Sequence, residues 1–399
     1  VKKSKAPHSR REMLKVTASS IAGLSGLTMT ANAAAQKMER RPTVRETVKI
    51  TRIETVLVKP RWLFLKVHTD AGVAGLGESI AEGGTQTCAA AIKELEPHLI
   101  GKDPRSVGQH WQAIYRHAFY RGGPTLTGAL SGIDQALWDI KGKLLGVPVY
   151  ELLGGPMRQR IRVYAHAQTP EELKEKRAAG FTAFKTGLAG LDDRSPCAID
   201  HHSDLEKIEK HFAGLKEIVG KDGDLAIDFQ GTVAPPTAKL LIKALEPYQP
   251  FFFEEIVNCQ NIDAMAEMAS QTHVPIATGG RIFTKWGFRE ILEKNAAVIL
   301  QPDLSHAGGI TEVRLIAGMA EAYYAALAPH NPLGPISLAA GLQTAAAIPN
   351  FLCQEQVSLG EGYLKNPFKV REGYLDLPAG PGLGIELDEE AMKDKLGHD

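Results

Sequence analysis

Cysteine is scarce and scattered in this chain. Its four thiols, Cys88, Cys197, Cys259 and Cys353, lie too far apart for the close pairs that build a zinc finger, and they read as small buried hydrophobes. Net charge is missing as well, since 46 Lys plus Arg balance 46 Asp plus Glu. A chain neutral overall has no bulk attraction to nucleic acid or to an anionic membrane. No apolar run is long enough to span a bilayer: the charge-free stretch over residues 16–29 is too short. Disorder is a poor fit, because 44% apolar residues in a chain of 399 support a sizeable core, in two domains or in one large barrel with a satellite. What is plentiful is turn chemistry, with 39 glycines and 23 prolines to separate many short elements.

Residues 8–15 read HSRREMLK and place Arg10 and Arg11 directly before the charge-free stretch, which ends near Ala31-Asn32-Ala33. A charged start, a short apolar run and small residues at the exit are the parts of an export peptide, and the paired arginines point to the twin-arginine route. The expectation is a signal peptide over 1–33, a linker over 34–47 and a periplasmic or otherwise exported protein.

The next segment, 48–156, reads as a small α+β domain. Runs such as ITRIETVLV and WLFLKVHT, the second running into an Asp70-Ala71-Gly72 turn, predict antiparallel strands, followed by helical spacing at Leu95 and Leu99 and then at Leu130, Ile133, Leu137, Ile140 and Leu144. After Gly154-Gly155-Pro156 the texture changes to short apolar strands, each separated from the next by an amphipathic helix. The predicted strands lie at 161–166, 183–186, 225–229, 251–254, 276–278, 298–301, 325–328 and 351–353, spaced by about one βα unit, with a helix on Leu205, Ile208, Phe212 and Leu215 filling one longer gap. Eight such units predict a closed α/β barrel over 157–355. A doubly wound sheet is the competing fold, although no glycine-rich dinucleotide motif follows any strand. Residues 356–399 hold strands and turns without a further βα repeat and are expected to fold back on the first domain.

In such a barrel the C-terminal ends of the strands share one mouth, so polar residues recurring there mark a site. Lys185 ends the second strand, Asp228 the third, Glu254 and Glu255 the fourth; Asp303 closes the sixth, His330 the seventh, and Glu355 lies just past the eighth. Asp228 and Glu254 are hard oxygen ligands suited to a divalent ion such as magnesium. His330 is a proton carrier if Asp303, on the neighbouring strand, orients its far nitrogen. Lys185 stabilises negative charge or makes a salt bridge, and Glu355 bonds a substrate oxygen or caps a loop. Arg121, in the glycine-rich turn over 119–123, is a candidate carboxylate partner, as is a rim salt bridge for the same residue. The turns over 78–84 and 119–123 are expected to set substrate choice.

Several long motifs, YRGGPTLTGALSGIDQALWDIKGKLLGVPVYELLGG, ALEPYQPFFFEEIV, ILQPDLSHAGGITE, LAPHNPLGP and the triplet Gln354-Glu355-Gln356, resemble the mandelate racemase/muconate lactonizing enzyme branch of the enolase superfamily, most closely its galactonate dehydratase-like sugar-acid dehydratases. The resemblance runs from about Lys49 to Val370. It implies a modified (β/α)7β TIM barrel beneath an N-terminal α+β capping domain, and magnesium-assisted removal of the proton alpha to a carboxylate. It further implies Asp228 and Glu254 as metal ligands, His330 with Asp303 as the acid/base dyad, Glu355 as a hydrogen-bonding carboxylate on the electrophile side, and a homo-oligomer.

Two positions depart from the pattern. Gly280, within Ala277-Thr278-Gly279-Gly280-Arg281, stands where the third ligand, a Glu, is expected, so magnesium is weakened or absent. Gln230, in Asp228-Phe229-Gln230-Gly231, stands where the dehydratases carry a histidine that helps the hydroxyl leave; an amide binds a substrate hydroxyl but does not supply a proton on demand. Three readings follow: a diverged lyase or epimerase working through His330 and Asp303, an exported sugar-acid binding protein or pseudoenzyme, and a barrel scaffold whose function lies in its cap or oligomer contacts.

Overall fold

A computed structural model of the chain describes residues 47–188 and 202–397. The export segment expected over 1–33 and nearly all of the linker expected over 34–47 lie outside the described residues, as does Cys197. Among the described residues no helix is long and apolar enough to cross a membrane.

The first unit is an antiparallel sheet of β1 (Ile50–Val58), β2 (Trp62–Thr69) and β3 (Ala74–Ser79), followed by α1 (Thr85–Leu95), α2 (Val107–His117) and α3 (Pro124–Leu145). The β2 to β3 turn falls on Asp70-Ala71-Gly72, where Gly72 takes φ 74°, a conformation that only glycine adopts freely. Pro124 opens α3 and Gly146 ends it in the left-handed region, the usual asymmetry of helix ends. The predicted helical stripe of Leu130, Ile133, Leu137 and Ile140 is buried against the sheet. Contact between α3 and β3 is nearly backbone to backbone: a Cβ on Gly77 would lie 2.0 Å from the Gly132 carbonyl oxygen. Leu99 falls past α1, in a turn.

A short α4 (Val149–Leu152) leads into the second unit. Its elements alternate as β4 (Arg160–His166), α5 (Pro170–Ala178), β5 (Ala183–Gly187), α6 (His202–Val219), β6 (Asp224–Asp228), α7 (Pro235–Leu245), β7 (Phe253–Glu254), α8 (Ile262–Ala269), β8 (Ile276–Thr278), α9 (Thr284–Glu293), β9 (Ile299–Leu300), α10 (Gly309–Ala322), β10 (Ala326–Leu327), α11 (Pro335–Ala347) and β11 (Gln354–Gln356). This is the (β/α)7β succession, and the strands pair in parallel from β10 through β4 to β11.

Alternation along these strands divides the core in two. Tyr164, Ala183, Ala226, Phe252, Ala277, Ile299, Ala328 and Cys353 fill the barrel interior, small side chains making room for the two large rings. Phe184, Leu225, Ile227, Phe253 and Leu300 instead face the helices, where Phe212 and Leu215 of α6 meet them.

The last strand is displaced from its predicted position. Regular pairing with β4 falls on 354–356, whereas 351–353 touches β10 through one bridge, Leu327 to Phe351. The chain crosses from one neighbour to the other within six residues, so the sheet is thinnest at this seam. Glu355 consequently lies inside a strand. Beyond it, β12 (Tyr374–Asp376) pairs antiparallel with β4, and the Lys59 and Gly397 amides donate to Lys395 and Leu57 carbonyls, tying the end of the chain to β1.

Candidate active site

The strand-end residues meet in a cavity of about 690 Å³, lined from the barrel by His166, Lys185, Asp228, Glu254, His330 and Glu355 among others, and from the capping sheet and its loops by Arg61, Ala81, Glu82 and Pro124. Strand register accounts for much of this. Asp228 and Glu254 are direct partners on β6 and β7, and His166 and Lys185 are partners on β4 and β5.

Lys185 is the centre of the cluster. Its Nζ lies 2.7 Å from Glu254 Oε1, 2.7 Å from Glu355 Oε1 and 3.6 Å from Asp228 Oδ2. Burial opposes its charge, but the surrounding carboxylates outweigh it and hold the ammonium well above the usual lysine range. Burial, with Asp228 and Glu355 alongside, pushes Glu254 up to about 8 despite Lys185. Gln301 Nε2 donates to its second oxygen at 2.7 Å. Glu355 shows the opposite balance. Burial would raise it, yet Lys185, His330 and His166 together keep it well below the carboxylate range. His166 Nε2 donates to Glu355 Oε1 at 2.5 Å, and the Asn331 amide donates to Oε2 at 2.8 Å.

His330 donates from Nδ1 to Asp303 Oδ2 at 2.8 Å, so the two residues expected to pair across neighbouring strands do so. Asp303 is fully buried and also accepts the Ser305 amide at 2.7 Å. Burial disfavours the imidazolium, but Glu355 and Asp303 outweigh burial and raise His330 to about 10. In the ligand-free site His330 therefore holds a proton at neutral pH and accepts one only after giving that proton up.

Gln230 lines the cavity with φ 52°, its amide N–H donating to Asp228 Oδ1 at 2.7 Å. Its carbonyl accepts from Arg281, whose guanidinium also pairs with Glu255 at 2.6 Å. Arg121 sits elsewhere: it is exposed in the turn before α3 and is absent from the cavity lining, which Pro124 at the start of α3 does reach.

Two histidines escaped the reading of strand ends. His166 ends the first barrel strand, so the rule that found the others points to it equally. His306 lies in a loop rather than at a strand end, within the motif ILQPDLSHAGGITE; its Nδ1 donates to the Gly280 carbonyl at 3.2 Å and its buried Nε2 has no partner among the described residues.

Asp303, His306 and His330 form a set able to hold a metal ion, with ligand atoms within 4.8 Å of one another. A nitrogen-rich donor set of this kind suits transition ions better than magnesium. The carboxylate site expected for magnesium is a poorer fit. Asp228 and Glu254 remain, but Gly280 has no ligand, the Lys185 ammonium already contacts both acids, and a Cβ at position 280 would lie 2.9 Å from the His330 ring.

Residues 168–391 match the family described as enolase C-terminal domain-like, and residues 17–154 match the mandelate racemase/muconate lactonizing enzyme N-terminal domain. The chain belongs to this branch of the enolase superfamily. It is 47% identical over 358 residues to a D-galactonate dehydratase of Ralstonia nicotianae and 46% identical over 359 residues to one of Ralstonia pickettii, covering 86% of this chain and 93% of the relative in each case. Among solved structures, a mandelate racemase/muconate lactonizing enzyme from a Sulfitobacter species superposes with a TM-score of 0.83 at 32% identity, over 88% of this chain and 96% of the other. The capped barrel expected from the motifs is thus present, with an altered set of carboxylates at its mouth.

Proposed function

We propose that this superfamily member is a diverged sugar-acid dehydratase-like lyase, acting on a polyhydroxylated carboxylate by removing the proton alpha to the carboxyl group and expelling the β-hydroxyl as water. The observation that carries this reading is the His330 and Asp303 pair, bonded at 2.8 Å, opening into the cavity that holds the Lys185 ammonium. A carboxylate turned toward Lys185 gains positive charge beside the enediolate that forms when the α-proton leaves. His330 first releases its resting proton to solvent and then takes the α-proton, and Asp303 holds the ring so that Nε2 does the work. The His330 proton then passes to the leaving hydroxyl on the same face, a syn elimination that relies on one acid/base because Gln230 supplies no proton.

Asp228 and Glu254 would be the residues to hold magnesium, weakly, and the ion would supply positive charge to the substrate carboxylate. The likeness to D-galactonate dehydratases supports a small sugar acid as substrate. Export through Arg10 and Arg11, and assembly as a homo-oligomer, belong to the same proposal.

The test is to incubate the purified chain with a panel of sugar acids and assay 2-keto-3-deoxy acid formation with and without magnesium. Formation from one or more acids supports the lyase. The substitution of Gln230 favours a second reading, a sugar-acid binding protein of the same fold. Tight binding with neither a 2-keto product nor α-proton exchange selects that reading instead.

A further inference from the structure

The two loops that carry the dyad are held from outside the barrel. Glu78, the fifth residue of β3 in the capping sheet, is fully buried and points at the start of α11. Its Oε1 accepts the Gly334 amide at 2.7 Å and its Oε2 the Ser337 amide at 2.9 Å. These are backbone donors at a helix N-terminus that have no partner within the helix. Gly334 caps α11 and Ser337 lies in its first turn, so the carboxylate fixes where the short stretch after His330 ends. A Cβ at position 334 would lie 2.7 Å from Glu78 Oε1, and glycine there permits the approach.

The second loop is reached through α3. The Glu78 amide donates to Gln135 Oε1 at 2.9 Å, and Gln135 Nε2 donates onward to the Leu304 carbonyl at 2.8 Å and to Ser305 Oγ at 3.2 Å. Those residues directly follow Asp303, and the Ser305 amide is itself bonded to the Asp303 carboxylate. Ser305 Oγ and Ser337 Oγ, 3.1 Å apart, close the circuit between the loops. Glu78 and Gln135 are themselves set by the tight seam of β3 on α3, where Gly77 faces Gly132.

We infer that Glu78 and Gln135 are positioning residues for the reaction, setting the distance between His330 and Asp303 through one hydrogen-bonded network that spans the cap and the barrel. The inference deepens the reading above, since it takes that pair as the working dyad. It assigns the cap a role in the chemistry separate from substrate choice. A shift of about 1 Å in one loop relative to the other costs on the order of 10²-fold in rate.

The experiment uses the full chain and two readouts. One is the His330 Nδ1–H proton resonance, recognised by its disappearance in His330→Asn; the other is the rate of α-proton exchange. Glu78→Leu and Gln135→Met are compared with the conservative Glu78→Gln, and with Leu173→Ala, a core truncation on α5 outside the network. The expected result is a broadened or lost resonance and a kcat lowered about 10²-fold with little change in KM for the first two, a smaller effect for Glu78→Gln, whose amide keeps one acceptor oxygen for two N–H donors, and a retained resonance in Leu173→Ala. If Glu78→Leu does not fold, Gln135→Met decides, because it leaves the Gly334 and Ser337 bonds in place. A wild-type resonance in folded Glu78→Leu and Gln135→Met, or its equal loss in Leu173→Ala, overturns the inference. If the resonance behaves as expected while the wild-type protein exchanges no acid, the proposed reaction fails and the positioning stands.

Discussion

Gly280 and His330 are in close contact: a Cβ built on the glycine would lie 2.9 to 3.0 Å from Cδ2, Cγ and Nε2 of the histidine ring. The position where relatives are expected to carry a third carboxylate is therefore overlaid by the imidazole, and the two features cannot coexist without movement.

This sets the outcome of Gly280→Glu. The new carboxylate adds a ligand and tightens magnesium binding by about 10-fold or more, while the displaced His330 exchanges α-protons more slowly. Isothermal titration with magnesium and an exchange assay on the same variant check both halves. No gain in binding means that Asp228 and Glu254 are not the ion's ligands.

Lys185→Met removes the ammonium from a buried cluster of acids. Glu254 and Glu355 lose a partner at 2.7 Å each, and such a loss costs about 3–5 kcal/mol. Urea unfolding at neutral pH measures it, with a partial recovery expected on acidification as the orphaned acids take up protons. A loss below about 1 kcal/mol means the cluster is more solvated than its burial indicates.

The strand ends were legible because a barrel converts chain position into spatial position: Lys185, Asp228, Glu254 and His330 each end or follow a short apolar run, and the pairing of His330 with Asp303 needs only adjacent strands. The last strand was misplaced because apolar pattern guided the reading. Residues 351–353, FLC, look like a strand, while the polar Gln354, Glu355 and Gln356 form the regular pairing and are buried. The contacts of Lys185 with three acids were not legible, since they depend on the reach of side chains from different strands. His306 was hidden for a similar reason: it reaches the Gly280 carbonyl from a loop rather than from a strand end. Arg121, a candidate by its place in a glycine-rich loop of the cap, is exposed and outside the cavity lining, a distance that its position in the chain does not encode.

Stability depends on pH through the acids that join cap and barrel. Burial pushes Glu78 from its ordinary 4.5 up to about 8, against the pull of the Ser337 and Gly334 amides, and burial likewise takes Asp134 to about 7. A folded value above the unfolded one means that the unfolded chain releases its proton first. Stability from Glu78 is thus complete below about pH 4.5 and lost as pH rises toward 8, at no more than about 1.4 kcal/mol per pH unit for each group. The urea midpoint should fall between pH 5 and pH 8, and Glu78→Gln should flatten that fall. A midpoint that rises over the same range contradicts the assignment.

Gln230→His returns a proton donor beside Asp228. Dehydration should rise by about 10²-fold with little change in α-proton exchange, because the donor acts on the leaving hydroxyl and leaves the first step alone. Product formation and exchange measured side by side separate the two steps. An equal rise in both places Gln230 in substrate binding rather than in hydroxyl departure.

The most direct measurement is deuterium incorporation at the α-carbon of a sugar acid turned over in heavy water, wild type against His330→Asn. Deuterium at the α-carbon of the recovered acid with the wild type, abolished in the variant while ligand binding persists, is the expected result. Equal incorporation in both proteins would remove His330 from the chemistry, and with it the reaction assigned to this cavity.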